Sequence, residues 1–119
     1  MKKVLFCVGH HKLASGDLSD WKIECDALSF SDWEGLARMA VELLPNFGEV
    51  IGVPRGGLAL AKAMRPWATD GKRLVVDDVF TTGGTIRKFM QRGDIGLVAF
   101  ARKMPPSNII PIFIYGATP

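Results

Sequence analysis

The chain has 119 residues, which at about 100–200 residues per domain is expected to make one compact domain, residues 1–119. Hydrophobic residues are 48% and charged residues 23%, ordinary globular usage that excludes disorder, collagen and a coiled coil. Fifteen Lys+Arg against twelve Asp+Glu give a formal charge of +3, enough to help attract an anionic ligand but too little to argue for nucleic acid as a partner.

The amino terminus, Met1-Lys2-Lys3 before Val4–Val8, imitates a signal peptide. Its apolar run is short, however, and Gly9-His10-His11-Lys12 ends it without a small-residue cleavage site. No run approaches the ~20 apolar residues of a membrane span, so a cytoplasmic protein with no membrane partner is expected. Cys7 and Cys25 make neither a close-spaced pair nor a zinc pattern with nearby histidines, and both read as reduced thiols packed as small hydrophobes. His10 and His11 are adjacent on an extended segment, where side chains point apart, which disfavours a shared metal.

Extended structure is expected at Val4–Val8 and Trp21–Cys25. A helix then follows over Asp32–Leu44, with Trp33, Leu36, Ala37, Ala40, Val41 and Leu44 on one face and Ser31 or Asp32 as its cap. Pro45 and Gly48 stop it. Glu49–Val53 reads as a buried strand that leads through Pro54-Arg55-Gly56-Gly57 into a second helix, Leu58–Met64. Arg73–Asp77 reads as another strand, followed by Asp78-Val79-Phe80-Thr81-Thr82-Gly83-Gly84 and a helix at about Thr85–Gln91. Strands at Ile95–Ala101 and Ile109–Tyr115 complete the chain. Strands alternating with helices predict an α/β fold with a mainly parallel sheet, whose ligands bind outside the carboxyl ends of the strands.

Two features fall at those ends. Thr81-Thr82-Gly83-Gly84-Thr85 combines three hydroxyls with glycines that let backbone N–H groups face outward, a composition suited to phosphate, although threonines that only cap and glycines that only turn would look the same. Asp77 and Asp78 end an apolar strand, which is costly unless something binds them, and ribose hydroxyls or a magnesium ion would do so. A sugar phosphate offers both groups together.

Arg73-Leu74-Val75-Val76-Asp77-Asp78-Val79-Phe80-Thr81-Thr82-Gly83-Gly84-Thr85 resembles the phosphoribosyl-diphosphate (PRPP) signature of the type I phosphoribosyltransferases. The resemblance implies that family's fold, a Rossmann-like sheet flanked by helices, here with a minimal hood. It also implies ribose contacts from Asp77 and Asp78 and a 5′-phosphate site over Val79 and Thr81–Thr85, including Thr82, Gly83 and Gly84. Gly52-Val53-Pro54-Arg55-Gly56-Gly57 is similar to the family's pyrophosphate loop, which often holds a non-proline cis peptide. That similarity implies diphosphate contacts from Pro54, Arg55, Gly56 and Gly57. Gly9-His10-His11-Lys12-Leu13-Ala14-Ser15-Gly16-Asp17-Leu18-Ser19-Asp20-Trp21 resembles the F-x-L-x-S-G-x-x-S-x-aromatic segment of orotate phosphoribosyltransferases, with His11 where Phe is usual. Lys12, Ser15, Trp21 and Lys22 are thereby implied on the base side. Thr81 stands where 6-oxopurine enzymes carry an acid, which disfavours hypoxanthine or guanine as acceptor.

What the resemblance implies, then, is transfer of a phosphoribosyl group from PRPP to a nucleobase, orotate or a related pyrimidine, with release of pyrophosphate. The cofactor would be Mg2+, held mainly through PRPP with Asp77 and Asp78 as candidate protein contacts, and the family usually forms homodimers. One departure matters. The interval Leu58–Lys72 is too short for the long catalytic loop of the larger enzymes, so Arg65 and Lys72 are either a shortened cationic lid joining Asp77 and Asp78 in catalysis or solvated charges at a turn. The alternative to an enzyme is a non-catalytic PRPP- or nucleotide-binding regulatory module on the same fold. A third reading, an RNA-binding regulator, would need Lys2, Lys3, Lys12, Arg87, Lys88 and Arg92 to form a basic face. Trp67 reads equally as core or as interface.

Overall fold

The computed structural model describes residues 6–12, 18–23 and 25–115, the first two stretches by their backbone. Strands β1 (Phe6–Lys12) and β2 (Leu18–Ile23) pair antiparallel as a hairpin. After a 3-10 turn at Cys25–Ala27 come helix α1 (Phe30–Leu43), β3 (Phe47–Gly52), α2 (Leu58–Met64), β4 (Lys72–Phe80), α3 (Gly84–Phe89), β5 (Ile95–Ala101) and β6 (Ile109–Ile114). The last four strands form one sheet in the order β3-β4-β5-β6, every pair parallel. No described helix is long and apolar enough to cross a membrane.

Strand alternation sorts the core. On β4, Leu74 and Val76 join β5's Leu97 and Ala99 and the helix residues Trp33, Ala37, Ala40, Leu60 and Met64 in one cluster. Val75, between them, faces the other way with Val98, Ile86 of α3 and Phe80. The sheet is therefore covered on both faces, as an all-parallel sheet must be. α1 is entered through a capping box: Ser29 Oγ accepts from the Asp32 N–H at 3.2 Å while an Asp32 carboxylate oxygen accepts from the Ser29 N–H at 2.9 Å. The cap is thus Ser29 rather than Ser31 or Asp32, and the helix starts one residue after it.

Both sheet edges are guarded. On β3, the Arg65 guanidinium donates to the Val50 carbonyl at 3.3 Å and the Thr69 N–H to the Phe47 carbonyl at 2.8 Å, so the segment after α2 lies along the free side of that strand. β3 begins at Phe47, earlier than the apolar run alone suggests, because Phe47 pairs with Lys72 of β4. On β6, Pro111 sits opposite Val98; a residue with no N–H is tolerated there because, among the described strands, β6 has a neighbour on one side only. Trp67 is 45% exposed, so the core reading of it does not hold.

β4 outruns its expected end at Asp77. Val79 and Phe80 continue the ladder opposite Phe100 and Ala101, and Phe80 is buried. α3, conversely, stops short of Gln91, because the Gln91 N–H is taken by the Asp94 carboxylate at 2.7 Å and the Phe89 carbonyl by Arg73 at 3.2 Å. Arg73 and Asp94 are themselves joined by a forked ion pair, the shortest arm 2.6 Å, which ties the start of β4 to the turn between α3 and β5.

The Arg73 hydrogen bonds hold the Asp94 carboxyl below its ordinary value of 3.8. A depressed carboxyl contributes stability that is present above its unfolded value and is lost as pH falls through the folded one. Asp94→Asn is therefore expected to lower the Tm at neutral pH, and the gap from wild type should close as thermal melts are taken into acid. A gap of constant size at every pH would contradict this assignment.

Candidate functional site

Because all four sheet strands run the same way, the segments that follow β3 and β4 emerge at one end of the sheet. The first, Pro54–Gly57, is a tight turn whose Pro54–Arg55 peptide is cis, the feature implied for this loop by its resemblance. It is seated by backbone bonds: the Val53 N–H donates to the Val76 carbonyl and the Gly57 N–H to the Val53 carbonyl, both at 2.8 Å. Gly57 has no space for a side chain, since a Cβ there would overlap the Val76 carbonyl and crowd the Asp77 Cα. A Cβ on Gly56 would likewise overlap the Asp78 carboxylate. The two loops thus meet backbone against carboxylate.

Asp77 and Asp78 are neighbours within β4, and their carboxyls are close enough to hydrogen-bond each other. Asp78 opens with Arg55, Gly56, Cys25, Asp26 and Trp33 onto a cavity of about 540 Å³ on the α1–α2 side. One of its carboxylate oxygens accepts from the Val79 N–H at 2.8 Å, which fixes its direction. Asp77 is 5% exposed and accepts from the Asp78 N–H at 2.8 Å. Burial, and after it the neighbouring Asp78 carboxyl, pushes Asp77 well above the usual carboxylate range, with the Asp78 backbone N–H opposing. The Cys25 thiol is raised by burial and by Asp78, to which it is hydrogen-bonded, and stays protonated and unreactive.

Thr81, Thr82, Gly83, Gly84, Thr85 and Lys88 line a second pocket of about 180 Å³ at the start of α3. Gly83 has φ +85°, in the left-handed region, and the space its Cβ would need is filled by the Phe80 ring and the Arg87 guanidinium. Arg87 donates to the Thr82 carbonyl at 3.2 Å and lies over the Phe80 ring at 5.9 Å, bracing the loop from outside. Val79 also lines this pocket, so the larger cavity and the smaller one are reached from consecutive residues of β4.

Of the residues singled out from sequence, then, the structure brings together Asp77, Asp78, Pro54–Gly57 and Val79–Thr85. It does not bring Arg65 or Lys72 to them. Arg65 is spent on the edge of β3, and Lys72 opens β4 opposite Phe47, five residues and roughly 16 Å along the strand from Asp77 at ~3.3 Å per residue. The shortened-lid reading of that pair is therefore corrected for this chain. Lys12, Trp21 and Lys22 lie on the β1–β2 hairpin, placed by backbone, and Ser15 lies outside the described residues. Arg102, which by sequence belongs to an ordinary basic turn, Ala101-Arg102-Lys103, directly follows a buried strand. Its N–H donates to the Phe80 carbonyl at 2.9 Å and its guanidinium lies 5.9 Å from the Tyr115 ring. Burial raises the Tyr115 hydroxyl, with the Arg102 charge opposing and Cys25 and Asp78 reinforcing.

No family model and no curated protein matches this sequence. Among solved structures, orotate phosphoribosyltransferase from Aeropyrum pernix has a TM-score of 0.65 at 26% identity, covering 82% of this chain and 76% of that one. UMP synthase from Leishmania donovani has a TM-score of 0.66 at 19% identity over 82% of this chain, which spans only 29% of the UMP synthase chain. The Mycobacterium tuberculosis H37Rv orotate phosphoribosyltransferase has a TM-score of 0.63 at 16% identity, covering 90% of this chain and 87% of that one. The chain has the type I phosphoribosyltransferase fold in a compact form, and its likeness is to the orotate phosphoribosyltransferases.

Proposed function

We propose that this end of the sheet binds PRPP and that the protein transfers its phosphoribosyl group to a nitrogen of a nucleobase, orotate or a related pyrimidine, releasing pyrophosphate. The observation that carries the proposal is the meeting of Asp77 and Asp78 with both glycine loops at the end of one strand: a hydroxyl-rich pocket on one side and an arginine-bearing turn on the other. In this reading Asp77 and Asp78 accept hydrogen bonds from the ribose hydroxyls, and those bonds repay the burial of Asp77. Thr81, Thr82 and Thr85 donate to the 5′-phosphate, while Arg55 and the turn of Gly56 and Gly57 face the diphosphate.

As the bond between the anomeric carbon and the diphosphate oxygen breaks, positive charge grows on the ribose and negative charge on the leaving group; the base nitrogen forms the new bond. The protein's part is to position and neutralise, with Arg55 at the leaving group and the acid pair beside the cationic ring. The donor set fits magnesium, which accepts one or two carboxylates together with substrate phosphates: two adjacent carboxyls are present, and among the described residues no cluster of three ligating side chains builds a cage. Asp77 and Asp78 would hold it with the diphosphate, and when bound it would supply charge to the leaving group.

A second reading, a PRPP- or nucleotide-binding module without turnover, is favoured by one observation: the segment between α2 and β4 seals the β3 edge instead of reaching over the site. Calorimetric titration with PRPP, with and without magnesium, tests both. Wild type is expected to bind, and Asp78→Asn to bind about ten- to a hundredfold more weakly, the size of a lost hydrogen bond to a charged group. Heat of turnover on adding orotate supports transfer, and binding without it supports the module. Failure of wild type to bind PRPP contradicts both.

The raised Asp77 carboxyl has its own signature. Its protonated form favours the folded state, so its contribution to stability is present in acid and is lost as pH rises above the ordinary carboxylate range. Asp77→Asn keeps the neutral shape and is expected to flatten the fall of Tm as pH rises toward about 8, and to weaken PRPP binding as Asp78→Asn does. A Tm difference from wild type that does not change with pH would contradict the burial account.

A further inference from the structure

The pocket after β4 holds a charge that the family signature does not contain. Of the residues lining its 180 Å³, Lys88 alone carries a cation. It lies beyond Thr85, the last signature residue, by three positions on α3 and beyond Gly84 by four, a spacing that puts it on the same helix face. Its neighbour Arg87 is already committed to the Thr82 carbonyl and the Phe80 ring. Lys88 is exposed and has no ion pair or hydrogen bond among the described residues, so its ammonium is available to an incoming group. The two cations of α3 thus divide the work: Arg87 braces the loop from outside, and Lys88 faces the space the loop encloses.

We infer that Lys88 is a binding residue for the terminal phosphate monoester of the sugar ligand, making the affinity of this pocket depend on the phosphate's charge as well as on the hydroxyls of Thr81, Thr82 and Thr85. The inference rests on the sugar-phosphate reading above and deepens it. An ammonium beside a dianionic phosphate makes a charge-assisted hydrogen bond, stronger than those from neutral hydroxyls, and at an exposed position it is weakened by salt.

The test is titration calorimetry with ribose 5-phosphate and, separately, with inorganic pyrophosphate, on wild type, Lys88→Gln and Lys88→Arg at low and high salt. Lys88→Gln, a neutral change at an exposed position, is expected to melt with wild type. It should weaken ribose 5-phosphate binding about tenfold and flatten its dependence on salt, leaving pyrophosphate binding at the Pro54–Gly57 turn unchanged. Lys88→Arg should restore both the affinity and the salt dependence. If wild type binds ribose 5-phosphate and Lys88→Gln binds it equally with the same salt dependence, the role of Lys88 is overturned and the sugar-phosphate reading stands. If wild type binds neither ribose 5-phosphate nor PRPP, that reading falls and this one with it.

Discussion

Two consecutive carboxyls at the end of a buried parallel strand are the constraint on which this molecule turns. A carboxylate taken out of water without a cation is expensive: burial pushes the Asp77 carboxyl well above the usual carboxylate range, and the Asp78 backbone N–H donated to it opposes that rise. The strand runs on past both acids because Val79 and Phe80 keep their partners on β5. That continuation holds the carboxyls on a rigid element instead of a loop. It turns the Asp78 carboxylate toward the Pro54–Gly57 turn and the α1–α2 side, with the Asp77 carboxyl beside it. The close seat of Gly56 against the Asp78 carboxylate follows from it, and so does the junction of a large cavity with a small one at residues 78 and 79.

The second organising feature is economy in the connection between α2 and β4. Eight residues, Arg65–Lys72, return the chain from the helix to the sheet, and they do so by hydrogen-bonding along the free side of β3. Gly71 packs so closely on the Asn46 carbonyl that a Cβ there would not fit, and a Cβ on Gly48 would come within 2.9 Å of the Gly71 carbonyl oxygen. A segment held this tightly protects a sheet edge well and cannot also close over a ligand at the carboxyl ends of the strands. The glycine loops and the segment after α2 are therefore separable: the first are built into the strand ends, the second serves edge protection. The charges of Lys88 at the pocket after β4 and of Arg55 at the turn suit the proposed site, which would rely on preorganisation more than on closure.

Much of this was legible in the residues themselves. The bounds of α2 and β5 are those read from the hydrophobic pattern, and both glycine loops fall where a parallel sheet puts its ligand loops. What escaped had tertiary causes. Nothing local tells that Phe80 has a partner on β5, so β4 was read too short. The end of α3 is set by Arg73 and Asp94, one of them sixteen residues upstream of Phe89, and no helix-stop residue announces it. Ser29 and Asp32 have capping-box spacing, but Ser31 and Asp32 inside the helix are equally good cap residues by type, and only the fold distinguishes them. Arg65 looked like a free cation and is an edge clasp, while Lys88 looked like part of a solvated basic face and lines a pocket. The site's acids and hydroxyls were legible because their chemistry is unusual for a strand end; its cations were not, because a lysine or arginine shows its purpose only through what surrounds it.

The central claim is that one sugar phosphate lies across the end of β4, its phosphate in the hydroxyl-lined pocket and its ring hydroxyls on the acid pair. A crystal structure of the protein grown with PRPP and magnesium tests it most directly. The account predicts the 5′-phosphate enclosed by Thr81–Thr85, the ribose hydroxyls within hydrogen-bond distance of Asp77 and Asp78, and the diphosphate against Arg55 and Gly56. A ligand bound elsewhere, or one whose phosphate lies outside the Thr81–Thr85 pocket, would contradict it.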